Sequence, residues 1–221
     1  MADISTQLIE QVQQARQEQT PLNIIGRNSK SFYGRQARGA PFNIANHTGV
    51  VEYQPQELVL TARAGTPLSE IDAVLAEQGQ MLSFEPPSFT GDASIGGTLA
   101  CNQSGPARPF AGSVRDMVLG LRLINGRGEY LRFGGQVMKN VAGYDVSRLQ
   151  AGAMGCLGVI TEVSLKVMPR PAQTATVICK LESASEAIEL MNRLQGRPVP
   201  LSGACWLQGR LYLRLAGAES A

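Results

Sequence analysis

Residues 92 to 105, DASIGGTLACNQSG, constrain this chain most. They hold three glycines and four small hydroxyl or thiol side chains, with no aromatic and no basic residue. A backbone so stripped of side chains must run close to something: another strand, a partner protein or a ligand. Two further glycine-rich loops flank it. IIGRNSKSFYG (24–34) leaves an apolar run, and GAMGCLGVIT (152–161) places glycine at every third residue before a β-branched stretch. In the first of these, Gly26 lets the backbone turn, and the successive amide N–H groups of Gly26, Arg27, Asn28, Ser29 and Lys30 suit an anion-holding nest. Asn28 and Ser29 add donors, and Arg27 and Lys30 add positive charge, as a diphosphate needs. A plain polar turn fits the same residues.

Common nucleotide motifs are missing. No G-x-x-x-x-G-K-[ST] occurs, and no G-x-G-x-x-G lies between a strand and a helix. Strand–helix alternation does not repeat, which argues against a doubly wound nicotinamide domain.

Composition narrows the chemistry further. The chain has 221 residues, 43% hydrophobic and 17% charged, with a formal net charge of +2. That suits a globular protein of one large domain or one and a fraction. Opposite charges are interspersed, so no phosphate-tracking stripe forms and nucleic acid is not an expected partner. No apolar run approaches the roughly 18 residues of a membrane-spanning helix. The first segment, MADISTQLIEQVQQARQEQT, carries Asp3 and Glu10 and lacks the form of a secretion signal. Cys101, Cys156, Cys179 and Cys205 are far apart, which predicts a cytoplasmic chain with buried free thiols. The single histidine, His47, is expected to face solvent in a loop between two strands. A zinc site built on several histidines and an iron–sulfur cluster held by this chain alone are both disfavoured. Any redox work therefore falls to a bound organic cofactor.

Periodicity places the elements. Ile4, Leu8, Val12 and Ala15 mark one face of an amphipathic helix. PLNII predicts a short buried strand, and PFNI and VVEYQPQELVLTARA predict more strands. TPLSEIDAVLAEQG is a helix with Thr66 as N-cap, Pro67 in the first turn, Leu68, Ile71, Val74 and Leu75 inward, and Gly79 at its end. MVLGLRLINGRGEYLRF is a hairpin around Asn125 and Gly126. A short helix, a glycine turn and a long strand follow, and Pro169 and Pro171 close the domain. From about Ala172 the texture changes. TATVICKL is a strand, SASEAIELMNRLQG a helix with the Ser183–Glu186 capping-box spacing, and GACWLQG with RLYLRLAG a second hairpin. A strand–helix–strand–strand unit is the start of a domain, so the chain is expected to be incomplete at its C-terminus.

GRNSKSFYGR, ELVLTARAGTPL, GQMLSFEPP, ASIGGTLACNQSGPARPFAGSVRDMVLG, LRFGGQVMKNVAGYD and GCLGVITEVSLKVMPRP, in this order, resemble the FAD-linked oxidases of the vanillyl-alcohol oxidase and p-cresol methylhydroxylase type. Within them the sequence resembles the FAD-binding E subunits of bacterial glycolate oxidases. The resemblance covers nearly all of residues 20 to 172.

It implies an α+β fold: an FAD-binding domain over 1–171, with subdomains of about 1–87 and 88–171, followed by a partial cap domain over 172–221. It implies FAD clasped between the subdomains, with the diphosphate on Gly26, Arg27, Asn28, Ser29 and Lys30. Ala93, Ser94, Gly96, Gly97 and Asn102 would follow the ribityl chain and flavin edge, with Pro87 and Gly105 among the contacts. Gly155, Gly158, Val159 and Ile160 would meet the other side of the cofactor. Some members attach the flavin through a histidine or cysteine. The first loop has neither, so FAD is expected to be non-covalent. The implied activity is oxidation of a small 2-hydroxy acid, glycolate or D-lactate, in a complex with a homologous flavin subunit and an iron–sulfur subunit. That places the chain in the cytoplasm, at the membrane only through its partners. A non-catalytic FAD relay subunit, a related D-2-hydroxy acid dehydrogenase and a β-rich binding module with glycines serving packing stay open. No catalytic base is identified. Lys139 and Arg115 are cations placed to stabilise reduced flavin or steer a carboxylate, or else solvated surface residues.

Overall fold

The computed structural model describes residues 3–89, 91–135 and 143–218. Helix α1 (Ser5–Gln17) buries Leu8, Val12 and Ala15, the stripe expected from their spacing. Strands β1 (Leu22–Ile25) and β2 (Ala40–Asn43) then pair in parallel. β1 is half-buried rather than buried, because this small sheet carries two strands only.

Strands β3 (Val50–Gln54) and β4 (Val59–Arg63) lead into helix α2 (Leu68–Ala76) and the short β5 (Gln80–Met81). Next come helices α3 (Ile95–Cys101), α4 (Arg108–Ala111) and α5 (Val114–Met117), then the hairpin β6 (Val118–Ile124) and β7 (Tyr130–Gly134). Helix α6 (Val146–Leu149) and strands β8 (Val159–Lys166) and β9 (Met168–Pro169) complete this part. One antiparallel sheet takes the order β3-β4-β8-β6-β7, with β8 bonded between β4 and β6. Strands from both sides of residue 87 share it, so no sheet boundary coincides with the expected subdivision there. Buried Leu60, Ala62, Leu121, Leu123, Val163 and Leu165 from its strands join Leu8, Ile71, Leu75, Ile95 and Leu99 from the helices in one core.

The rest is a second unit: β10 (Gln173–Lys180), α7 (Ala184–Gln195), β11 (Leu201–Leu207) and β12 (Arg210–Gly217), its sheet ordered β10-β12-β11. Its own small core is Ala187, Leu201, Leu211 and Leu213, with Phe110 of α4 packed against it. Ser183 Oγ accepts from Glu186 N at 3.2 Å, as the capping spacing predicts. The reciprocal bond goes to the Glu182 N–H instead of that of Ser183.

The β6–β7 hairpin forms as expected, its turn spanning Asn125 to Glu129 with Gly128 at positive φ. Asn125 Oδ1 organises that turn by accepting from the Arg127 and Glu129 amides. Three local expectations fail. Thr66 does not cap α2. Its Oγ1 accepts from Gly49 N at 2.9 Å, tying the helix entry to the loop before β3, and Pro67 holds the N-cap position. All four thiols are free, but none is buried, and Cys156 and Cys205 are exposed. His47 is 0% exposed. The chain just before α1 reaches it, Ile4 N donating to His47 Nδ1 at 3.2 Å.

Candidate cofactor site

The three glycine loops, remote in sequence, meet around α3. Ser94 caps this helix by accepting from Gly97 N at 3.3 Å. The first loop leaves β1 directly against that cap: a Cβ on Gly26 would lie 2.8 Å from Ser94 Oγ. The third loop closes on the other end, where Gly152 N donates to Leu99 O at 3.1 Å and Met154 N to Ala100 O at 3.0 Å. A Cβ on Gly155 would touch Ile24 of β1 at 3.4 Å.

Within this junction the loop residues divide by environment. Asn28 is exposed and adopts a left-handed φ of 58°, whereas Ser29 is buried. Arg27 is exposed and donates from Nε to the Asp92 carbonyl at 3.1 Å. Lys30 is half-buried. Burial lowers its pKa, and the neighbouring Cys101 thiol opposes that shift. The same burial raises the Cys101 pKa against the pull of Lys30. A partly desolvated cation thus stands beside the C-terminal turn of α3. Ala93 and Ser94 are buried, with the Ala93 carbonyl accepting from Leu68 N at 2.8 Å. Pro87 is half-buried.

Some glycines answer to the protein itself. Gly96 lies on β4: its N–H donates to Ala64 O at 2.9 Å, and a Cβ there would sit 2.6 Å from that of Ala64. Gly105 has φ +74° and passes so close to Glu85 that a Cβ would meet its carbonyl oxygen at 1.9 Å. Val159 and Ile160 are core residues of β8, paired with Ile124 and Leu123, and a Cβ on Gly158 would strike the Ile124 carbonyl at 2.9 Å. The dense small residues of 92–105 therefore serve close helix–strand packing as well as any ligand.

The residues present fit FAD. Asn102 Oδ1 and Gln103 Oε1, on half-buried side chains where α3 ends, have no hydrogen-bond partner among the described residues. Buried orphan polar atoms are costly unless something pairs with them, and a polar ribityl chain offers donors and acceptors. The first-loop amides with Lys30 would face the diphosphate. Bound there, FAD supplies a two-electron acceptor. Arg115 lies on the exposed α5 surface, Lys139 falls outside the described residues, and His47 is fully buried. Among the described residues no group of three or more His, Cys, Asp or Glu is placed to hold a metal.

A cavity of about 590 Å³ separates α2 and β5 from the second unit. Sequence reasoning missed its key pair. Arg214 grips Glu85 with both terminal nitrogens, at 2.6 and 2.9 Å, while its Nε and Nη2 also donate to Ser202. Glu85 lies within the FEPP motif, but nothing in the sequence links it to position 214. Arg170 donates to the Gln80 carbonyl at 3.0 Å. Burial raises the pKa of Asp72 here, and Arg170 works against it.

Comparison with known proteins identifies the fold family. The family model described as an FAD binding domain matches residues 3–134. The chain is 51% identical over 217 residues to glycolate oxidase subunit GlcE of Escherichia coli (strain K12), covering 98% of this chain and 62% of that protein. It is 32% identical over 135 residues to a D-2-hydroxyglutarate dehydrogenase of Xanthomonas citri pv. viticola, covering 60% of this chain and 28% of the relative. A solved structure of alkyldihydroxyacetonephosphate synthase superposes with a TM-score of 0.80 at 18% identity, covering 97% of this chain and 46% of that one. The chain spans less than two thirds of the length of each of these proteins. With the family model matching over more than half its residues, the chain belongs to the FAD binding domain family and its cofactor is FAD.

Proposed function

We propose that this chain is the FAD-carrying subunit of a glycolate oxidase-type enzyme. In that role it holds FAD non-covalently and takes part in oxidising a small 2-hydroxy acid, glycolate or D-lactate, to the 2-oxo acid. Two electrons and two protons leave the substrate, and the electrons pass onward. The working complex contains a homologous flavin subunit and an iron–sulfur subunit, in the cytoplasm and at the membrane only through those partners. Among the described residues no helix is long and apolar enough to cross a membrane. Residues 172 onward act as part of a cap over the flavin. The observation that carries this reading is the 51% identity to the E. coli subunit across nearly the whole chain.

A second reading has an observation of its own. Proton abstraction from a hydroxyl needs a base and a carboxylate clamp within hydrogen-bond reach. The sole histidine is fully buried, Arg214 is held by Glu85, and Arg170 gives its Nε to Gln80. A relay role, with the chemistry in the homologous partner, accommodates that arrangement. Dye reduction with glycolate distinguishes the outcomes. The isolated FAD-loaded chain should be inactive and should gain activity only with its partner subunits. Turnover by the isolated chain would sink the relay reading, and no gain on reconstitution with FAD in place would sink the oxidase assignment.

A further inference from the structure

We infer that Phe32 and Phe89 form an aromatic clasp over the isoalloxazine ring of FAD, a role that rests on the three loops holding that cofactor. Phe32 belongs to the first loop and Phe89 to the segment that leads into α3. Their rings meet edge to face, with centroids 4.9 Å apart and planes at 87°. Yet they remain 62% and 55% exposed. Most of what an aromatic pair contributes to a fold comes from removing its surface from water, and this pair keeps most of that surface wet.

The backbone gives a second, independent sign. Phe89 sits at φ +31°, a region that a bulky residue enters only against strain. The fold thus maintains a strained backbone in order to set one exposed ring on another. Strain of this kind persists where surrounding structure over-determines it, and here the same two segments are tied again by the Arg27–Asp92 bond. The first loop and the approach to α3 are therefore bridged twice, by a polar contact and by the rings, beside the Gly26–Ser94 junction. A planar apolar ligand laid against the pair would cover the face of one ring and the edge of the other. Phe89 leads into the 93–102 segment assigned to the flavin edge, which selects the flavin over the adenine.

The test titrates the apo chain with FAD, riboflavin and ADP, using flavin fluorescence for the first two and calorimetry for ADP. In the Phe32→Ala/Phe89→Ala double variant, FAD and riboflavin should each bind about tenfold more weakly while ADP is unaffected. Phe89→Gly separates this role from a structural one, since glycine takes positive φ without strain. Its apo melting temperature should be unchanged or raised while FAD affinity falls. Unchanged FAD affinity in the double variant overturns the clasp. A loss confined to ADP overturns the flavin assignment. A natural chain that binds no FAD at all overturns the three-loop site, and the clasp with it.

Discussion

At the scale of single residues, His47 shows how context sets chemistry. Burial holds its pKa below the ordinary 6.5, with Arg63 acting in the same direction and Asp3 against it. Below pH 6.5 the unfolded chain therefore binds a proton that the folded ring refuses, and stability falls as pH drops through that window. The neutral ring is also the form that accepts from Ile4 N. Urea unfolding at about pH 7.5 and about pH 5.5 should show the loss, and His47→Gln should shrink it. Asp3, held at about 2 chiefly by the Ser5 amide, loses its contribution only in far more acid solution. An equal pH dependence in His47→Gln would show that another group titrates. The glycines divide just as sharply. Gly97→Val should weaken FAD binding by at least about tenfold while the fold persists, if the backbone there faces the cofactor as proposed. A Cβ there would lie 3.2 Å from Ser94 Oγ, a contact that a small shift of the hydroxyl relieves. Gly105→Ala should instead destabilise the apo chain by roughly 1–3 kcal/mol or more, through its clash with the Glu85 carbonyl. Melting curves and flavin titrations on the two variants should diverge; parallel behaviour would contradict the division.

At the scale of elements, the first loop is where charge meets packing. Replacing Arg27 and Lys30 together by Ala should cost FAD roughly 1–3 kcal/mol of affinity and riboflavin little, since riboflavin lacks the diphosphate. Half-buried Lys30 should account for most of it. Equal losses for both ligands would remove the phosphate role. Much of the element layout was legible in the sequence. The α1 stripe, both hairpins, the inner face of α2 and the Ser183 cap all follow from local spacing, because one element's periodicity reports which face it buries. What escaped was long-range. Thr66 looked like a cap, yet Gly49 claims its hydroxyl. His47 looked like a loop residue facing water, yet it is fully buried and accepts from the Ile4 amide, 43 residues away. The order β3-β4-β8-β6-β7 leaves no local trace, since it is fixed by which apolar faces meet. At the site, the three loops were recognisable as loops. That Gly96, Gly105 and Gly158 answer to neighbouring backbone became visible only when Ala64, Glu85 and Ile124 were in place.

At the scale of the whole molecule, two cores of unequal size sit on either side of a 590 Å³ cavity, joined by the Phe110 contact and the Arg214–Glu85 grip. The larger core sets α3 among the three loops, and the smaller one closes the cavity on the Glu85 side. The larger unit holds FAD through contacts alone, in a junction whose first loop carries no histidine or cysteine. Acid precipitation of the FAD-loaded chain, followed by flavin absorbance in both fractions, tests this. Near-equimolar FAD, all of it released to the supernatant, is the expected result; a chain that retains no flavin, or a pellet that stays yellow, would overturn it.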